Sequence, residues 1–223
     1  MALTEADCQA MIDACRRAGV RLGIGFQQRH HPVHRELRRL ITTGDLGEIV
    51  MLRAEWHTGY GAWTNWRAEA ARAGSDILAA VGVHVFDLLG YLAGADVQDV
   101  ASLVDVAPET GMDQSIAAAL RYNNGIMATA TITRRSCSPQ NGVWVWGTKG
   151  MAGSPASLGM NPTGRLVRGS GAGIAESNLP LPDLYAAQFE AFAHAVATGA
   201  EPNAAGLDGL RSVALSRRLL AGR

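Results

Sequence analysis

Apolar residues recur at three- and four-residue spacing through residues 73–92, AGSDILAAVGVHVFDLLGYL. This pattern predicts one amphipathic helix around which the rest of the chain is arranged. Either Ser75 or Asp76 is expected to cap its first turn. The apolar stripe of the helix consists of Leu78, Val81, Val85, Leu88 and Leu92. The helix is therefore expected to bury one face in the core.

A second line of residues on the same predicted helix carries candidate chemistry. It consists of Asp76, Ala80, His84, Asp87 and Tyr91. Side chains three and four residues apart stack along one helix face, so this line could present an imidazole with acidic neighbours to a cleft. The structural alternative is equally simple: Asp76 caps the helix, Asp87 is solvated, and His84 is a hydrogen-bonded helix residue.

Alternation with a period of two predicts strands on both sides of that helix. Residues 48–58 alternate between an apolar and a polar face, and Asn123-Asn124-Gly125 separates two further alternating runs. The Asn-Gly pair predicts a hairpin, because these residues tolerate the positive φ of a tight turn. Further strands are predicted over 21–26, 97–106, 143–146 and near 165–168, and further helices over 4–19, 34–41, 184–196 and 210–219.

Composition narrows the class of protein. The 223 residues include 20 basic and 20 acidic side chains, so no basic field predicts nucleic acid or an anionic membrane surface as a partner. No uninterrupted apolar run reaches about 18 residues, which argues against a spanning helix. The start of the chain lacks the pattern of a secretory signal. Three cysteines without a CxxC pair suit reduced thiols, so a cytoplasmic location is expected.

Three tempting motifs are better explained without a ligand. Gly23 and Gly25 begin a G-x-G pattern, but Gln28 stands at the third glycine position and no helix follows, so the dinucleotide fingerprint fails. A strand closely approached by another backbone is the preferred interpretation. No carboxylate completes a metal set with the histidines of 30–34, and no metal is expected. Residues 169–174, GSGAGI, are expected to form a flexible loop within the Gly-, Ser- and Pro-rich segment 150–182.

The aromatic loop GYGAWTNWR, residues 59–67, precedes the predicted helix. Aromatic rings flanking Arg67 suit a pocket wall for a polar ring or a carboxylate. They suit the anchoring of a long loop in the core almost as well.

Five ordered motifs together resemble the Gfo/Idh/MocA family of NAD(P)-dependent oxidoreductases of sugars, cyclitols and related polyols. They are GFQQRHHPVHRELR, WRAEAARAGSDILAAVGVHVFDLLGYL, WGTKG, LYAAQFEAF and GLDGLR. The resemblance implies an α/β (α+β) fold, an open and predominantly antiparallel β-sheet with helices packed on one face. It further implies that residues 1–27 are the remnant of a Rossmann domain, a leftover α-β unit, and that 28–223 form the substrate-binding and oligomerisation domain.

The resemblance also assigns roles to single residues. The family's G-F-N-x-R-x-x-P segment places Arg29 near the substrate, and its W-R loop places Trp66 and Arg67 there. The polar residue His57 is added as a substrate-binding candidate. His84 matches the histidine of D-x-G-x-H and is the candidate base, whereas Ala80 stands where the motif has aspartate. Asp76, one turn earlier, is the candidate replacement for that carboxylate.

The missing parts shape the functional hypotheses. The glycine-rich βαβ portion and the lysine of the Glu-Lys-Pro motif are not in this sequence, so the chain is expected to need a Rossmann half for hydride transfer to NAD or NADP. The expected partners are a sugar or polyol and further copies of the chain, joined as a homodimer or higher oligomer through the sheet. Two alternatives stay open: a non-catalytic sugar-binding or dimerisation scaffold, and a defective remnant that folds poorly.

Overall fold

An eight-stranded sheet forms the body of the computed structural model, which describes residues 1–59, 61, 63, 65–138 and 141–221. Tyr60, Ala62 and Thr64 of the aromatic loop therefore lie outside the described residues. The strands are β1 Ile49–His57, β2 Val97–Val106, β3 Asp113–Tyr122, β4 Met127–Thr133, β5 Val143–Gly147, β6 Gly150–Ser154, β7 Arg165–Ser170 and β8 Gly173–Asn178.

The strand order across the sheet is β2-β3-β4-β1-β5-β6-β7-β8. Only β1 and β4 run parallel, with Ala54 opposite Ala130, and the other neighbouring pairs are antiparallel. The predicted hairpin is confirmed, because β3 and β4 pair antiparallel across a turn in which Gly125 has φ 87°. The open, mostly antiparallel sheet expected from the resemblance is thus the observed one.

Helices cover one face of this sheet and bury the core between them. They are α1 Glu5–Arg17, α2 Pro32–Thr42, α3 Ala70–Ala73, α4 Val83–Ala93, α5 Leu184–Thr198 and α6 Gly206–Ala221. Leu52 and Ala54 of β1 are fully buried beneath α4. Leu88 and Leu92 of α4 are fully buried as well. In contrast, Val50 is 49% exposed and does not continue the predicted apolar row, because the β1–β5 register shifts between Ile49 and Met51.

The predicted central helix is not one regular helix. Leu78–Gly82 forms a π-helical turn that leads directly into α4, and Gly74, with φ 75°, separates this helix from α3. Both carboxylate oxygens of Asp113 accept backbone N–H bonds at its start, one from Asp76 and one from Leu78, each at 2.8 Å. Ser75 Oγ accepts the Ala79 N–H, whereas the Asp76 carboxylate bonds to side chains instead, so neither residue stands at the N-cap position, which is Ile77.

Length and composition alone would allow the stretch Ala70–Ala93 to cross a membrane, since its mean hydropathy is 1.6. Polar residues interrupt this stretch, so the sequence contains no uninterrupted apolar run of about 18 residues. In the fold, 67% of the most apolar window is buried inside the protein. The apolar surface of this stretch is therefore satisfied mainly by the protein core.

Residues 1–27 pack against the last two helices. α1 lies against α6, and a Cβ placed on Gly23 would come within 2.6 Å of the Phe192 ring on α5. The predicted strand 21–26 is wrong: Gly23 forms a single bridge with Ala205, because the described chain offers no strand to extend the pairing. Another backbone does approach this glycine through that bridge, and an aromatic side chain occupies the space where its Cβ would lie. The division between 1–27 and 28–223 stays a prediction.

The Gly-rich segment after residue 150 holds more strand than predicted. GSGAGI is the turn of the β7–β8 hairpin and not a flexible loop, since Ser170 pairs with Gly173, whose φ of 123° favours glycine. Pairing of β7 to β6 continues the sheet. On α5 the predicted apolar stripe is only partly buried, because Phe189 and Val196 are 67% and 54% exposed.

Candidate functional site

A cavity of about 520 Å³ opens where the aromatic loop meets the π-helical turn. The loop contributes Trp63, Trp66 and Arg67 to its wall. The helical side contributes Ser75, Asp76, Ala79, Ala80 and His84. Single π-helical turns are found frequently at functional sites, and the extra residue in this turn changes which side chains face the cavity. The structure thus brings together four of the six residues proposed from the sequence: His84, Asp76, Trp66 and Arg67.

His84 lies at the start of α4 and packs between two aromatic rings. Its imidazole meets Phe26 edge-on at 5.9 Å between centroids and lies 6.0 Å from the Trp56 ring. Nδ1 is buried and has no hydrogen-bond partner among the described residues. Nε2 does not belong to this group of buried atoms without a partner. Burial lowers the pKa of His84 to about 4, because the apolar surroundings disfavour the imidazolium. The side chain is therefore neutral at pH 7.

Asp76 is fixed by two neighbours that are distant in sequence. Its Oδ1 accepts a 2.6 Å hydrogen bond from Trp63 Nε1, and its Oδ2 pairs with the Arg134 guanidinium. Arg134 also donates to the Gly61 carbonyl and lies over the Trp63 ring at 5.5 Å. This cluster ties the aromatic loop to the helix start. Arg134 gave no signal in the sequence, because it follows β4 and no local pattern links it to residue 76.

Trp66 and Arg67 begin a short 3₁₀ helix, Trp66–Ala68, that forms the outer wall of the cavity. Asn65 caps it by accepting the Arg67 N–H at 3.0 Å. The guanidinium of Arg67 lies 4.8 Å from the Trp66 ring centroid and 5.3 Å from that of Trp63. Cation–π stacking of this kind orients the guanidinium plane while leaving its N–H donors available.

The predicted line along the helix divides between two cavities. Asp76, Ala80 and His84 face the cavity described above, but Asp87 and Tyr91 line a second one of about 760 Å³ between α4, α6 and β2. His84, Asp87 and Tyr91 all lie in regular α4, after the π-helical turn. Three residues fall about 60° short of a full α-helical turn, so the step from His84 to Asp87 moves the line towards the other cavity. The prediction of a single catalytic line is corrected accordingly.

Arg29 belongs to the second cavity, where it is buried in ion pairs. Nε and Nη2 hold the two Asp87 oxygens at 2.9 and 2.6 Å, and Nη2 lies 3.0 Å from Asp208. Asp87 is 6% exposed, so the solvated alternative is wrong. Burial raises the pKa of Asp87 to about 6, and Arg29 opposes that rise. The structure does not place Arg29 at the His84 cavity, and its substrate-binding role stays a prediction.

His57 lies on the other face of the sheet. Its ring Nε2 is 2.9 Å from Thr131 Oγ1 on β4, whereas the adjacent Trp56 points to the helices and contacts His84. Successive residues of a strand point to opposite faces, so His57 does not line the cavity. A substrate contact by His57 within one chain therefore has no support in the geometry, and the role stays a prediction.

The early histidines have structural partners. His31 Nδ1 accepts the Val33 N–H and caps α2, while His34 is hydrogen-bonded to the Gln28 carbonyl and to Ser157 Oγ. Burial lowers the pKa of His31 to about 4 and that of His34 well below its usual value. Within the described part of the chain, no three His, Cys, Asp or Glu side chains form a group that could hold a metal ion.

Comparison with known proteins decides the family. The model of the GFO/IDH/MocA C-terminal domain matches residues 34–153, more than half of the chain. The chain belongs to the GFO/IDH/MocA family. This confirms the resemblance, and the matched segment contains the aromatic loop, the π-helical turn and His84, which line the His84 cavity.

Individual GFO/IDH/MocA relatives are oxidoreductases. The chain is 28% identical over 220 residues to 1,5-anhydro-D-fructose reductase of Ensifer adhaerens, covering 96% of this chain and 65% of the reductase. Aldose-aldose oxidoreductase from Caulobacter crescentus, solved with glycerol, superposes over 100% of this chain and 67% of its own, with TM-score 0.88 and 25% identity. A 3-ketoreductase from Actinomadura kijaniata, solved with TDP-benzene and NADP, shares the fold at TM-score 0.83 and 23% identity, covering 99% of this chain and 68% of its own.

The chain spans between 44% and 65% of the length of the first curated relatives that it matches. The activity of a whole GFO/IDH/MocA enzyme is therefore a proposal for this chain.

Proposed function

We propose that this chain is the substrate-binding part of a GFO/IDH/MocA oxidoreductase that acts on a CH–OH group of a sugar or polyol. The observation that supports it most is the cavity in which His84, neutral at pH 7, shares a wall with Trp63, Trp66 and Arg67. Aromatic faces stack on the C–H faces of a sugar, and polar groups around them orient its hydroxyls. The scaffold alternative is not favoured, because the relatives are oxidoreductases.

In the proposed reaction His84 acts on the proton of the substrate hydroxyl. Its accessible Nε2 accepts that proton as the carbon is oxidised, and it returns a proton in the reductive direction. Asp76 acts indirectly: it receives the Trp63 Nε1–H and thereby holds one aromatic wall in place. The apolar neighbour Ala80 provides no carboxylate to orient the imidazole, so substrate contacts are expected to do so.

A nicotinamide dinucleotide, which supplies the hydride acceptor in relatives of this kind, does not fit the described residues. The extended segment of Gly23 and Gly25 leads into a 3₁₀ helix, Gln27–His30, rather than an α-helix whose N-terminus could hold a pyrophosphate. Gly23 is closely packed on Phe192, which fills the space a phosphate would need. We therefore propose that NAD or NADP is held by residues outside those described here.

A binding and activity experiment tests the proposed function. The purified chain alone is expected to leave the fluorescence of millimolar NADH unchanged and to form no NAD(P)H from a panel of sugars and polyols. The same chain joined to the reading frame upstream of Met1 is expected to form NAD(P)H with at least one polyol. Tight NADH binding by the chain alone would contradict the proposal that the dinucleotide is held by other residues. Absence of turnover by the joined protein would contradict the proposed function.

We also propose that two copies associate through the uncovered face of the sheet. In this face Leu103, Ala117, Thr131 and Glu55 form one row across four strands, and Leu103 is 80% exposed. The Leu103, Ala117 and Thr131 side chains are small or apolar, which suits contact with a second sheet more than contact with water. Glu55, at the end of the row, is paired with Arg53. The three cysteines are free thiols, which supports the further proposal of a reducing, cytoplasmic location.

Replacement of Leu103 by Glu is expected to weaken this dimer at least tenfold, because a charge in the apolar part of the proposed contact would lose its water without gaining a partner. Light scattering across a micromolar concentration series measures the change. Phe189→Glu is the matched control, since Phe189 is also exposed but lies on α5. A monomeric unmodified chain at these concentrations, or equal weakening by both variants, would argue against the sheet interface.

A further inference from the structure

We propose that the substrate of the His84 cavity carries a carboxylate that pairs with Arg67, as in an aldonate or a uronate. This inference rests on the proposed function and names the chemical class of its substrate. Three observations support it: Arg67 has no ion-pair partner among the described residues, the cavity has a net positive charge, and the helical wall is mostly apolar.

The positive charge of Arg67 is not neutralised by a carboxylate of the described residues. No ion pair joins its guanidinium to an Asp or Glu of the described chain, although most other arginines of the fold have such a partner or a backbone carbonyl. The Trp63 and Trp66 rings instead hold the guanidinium at the wall of the cavity. A planar guanidinium fixed in this way can form two parallel hydrogen bonds with a carboxylate.

The other ionisable groups lining the cavity leave the charge of Arg67 unbalanced. They are Asp76 and His84 among the described residues. Asp76 is paired with Arg134, so this pair adds no net charge. His84 is neutral at pH 7. The cavity therefore has a net charge close to +1, which matches one carboxylate better than the double charge of a phosphate monoester.

Asp76 is the carboxylate that the described residues place on the helical wall, and its pairing with Arg134 leaves no unneutralised negative charge there. Ala73, Ala79, Ala80 and Val81 supply only apolar side chains and backbone to this wall. An anionic substrate thus meets no unpaired carboxylate on this side. Arg67 is exposed, so its guanidinium is open to a ligand.

Calorimetric titration of the chain with paired ligands tests this inference. The probes are D-glucuronate and D-gluconate, their neutral counterparts D-glucose and D-glucitol, and glucose 6-phosphate. Each carboxylate is expected to bind at least tenfold more tightly than its neutral counterpart, with an affinity that falls as salt is raised. Quenching of tryptophan fluorescence supplies a second readout, because Trp63 and Trp66 line the site.

Variants locate the preference on one side chain. Arg67→Gln is expected to weaken carboxylate binding at least tenfold more than D-glucose binding and so to remove the preference, while Arg67→Lys retains part of it. Arg72→Gln is the matched control, because Arg72 is exposed, pairs with Glu69 and does not line the cavity. Unchanged melting temperatures establish that the exposed substitutions leave the fold intact.

The outcomes separate this inference from the proposed function. Equal binding of neutral and carboxylate ligands, a preference that survives in Arg67→Gln, or tighter binding of glucose 6-phosphate would overturn the inference while leaving a sugar site in place. Failure of every sugar and polyol to bind would overturn both the inference and the proposed function.

Discussion

Replacement of Arg29 by Met is expected to lower the free energy of unfolding by about 3–5 kcal/mol at pH 7. Arg29 forms a bidentate pair with Asp87, and both side chains are more than nine-tenths buried. Without the guanidinium, the buried Asp87 carboxylate has no counter-charge and is repelled by the nearby charge of Asp208. Denaturant unfolding followed by circular dichroism measures the loss.

The deficit of Arg29→Met is expected to shrink as the pH is lowered from 7 towards 5. Burial raises the pKa of Asp87 in the folded state to about 6, above its value in the unfolded chain. A carboxyl group whose pKa is higher in the folded state than in the unfolded state makes the fold more stable at low pH. This contribution to stability is lost as the pH rises through the folded-state pKa. Removing Arg29 raises the folded-state pKa of Asp87 further. Protonation of Asp87 therefore removes the unpaired charge from the variant at a higher pH than in the parent.

Two further variants make the test specific to the buried pair. Arg29→Met/Asp87→Leu is expected to recover most of the lost stability, because no unpaired charge is left in the core. Arg72→Met removes an exposed partner of Glu69 and is expected to cost about 0–1 kcal/mol. A loss for Arg29→Met no greater than that of Arg72→Met, or a loss that does not vary with pH, would show that the pair is not stabilising.

His84→Gln is expected to lower kcat of the joined oxidoreductase about 10²- to 10⁴-fold with little change in KM. Glutamine retains polar atoms at this position but cannot accept the hydroxyl proton. The rate of the unmodified protein is expected to rise with pH near 4, where His84 loses its proton, and this inflection should be absent in the variant. Steady-state NAD(P)H formation between pH 4 and 8 measures both effects.

His194→Gln provides the control for that experiment, because His194 is exposed on α5 and does not line the cavity. Its kcat is expected to stay within twofold of the parent value. Retention of more than a third of kcat in His84→Gln would exclude His84 as the base and direct attention to another proton acceptor. A large rise in KM with unchanged kcat would instead indicate a role in binding.

Local patterns predicted the strands that have clear period-two alternation. β1 and β2 were placed within one residue and the β3–β4 hairpin at its turn, because alternation and the Asn-Gly turn are properties of neighbouring residues. In the segment after residue 150, β7 was predicted, but β6 and β8 were missed for the opposite reason. β6 and β8 are rich in Gly and polar residues, and they become strands only because adjacent strands supply their hydrogen-bond partners.

The candidate site divides in the same way. Helical spacing and the W-R loop were sufficient to predict His84, Trp66 and Arg67 as candidate site residues. The structure places all three at one cavity. Spacing alone also grouped Asp87 with His84, but the two residues face different cavities from within α4. Asp113 and Arg134, which fix the helix start and the loop, could not be found from spacing, because their partners lie 35–37 and 58 residues away.

The sequence by itself determined the strands with regular alternation, the amphipathic helices and the family, because these depend on residues that are close along the chain or on ordered motifs. Only the tertiary structure decided which polar side chains are buried together. Arg29 and Asp87 form a core ion pair, whereas Arg67 retains an unbalanced charge beside His84. Burial and pairing depend on elements that meet only when the sheet and helices pack, and they set the charge and protonation of each group.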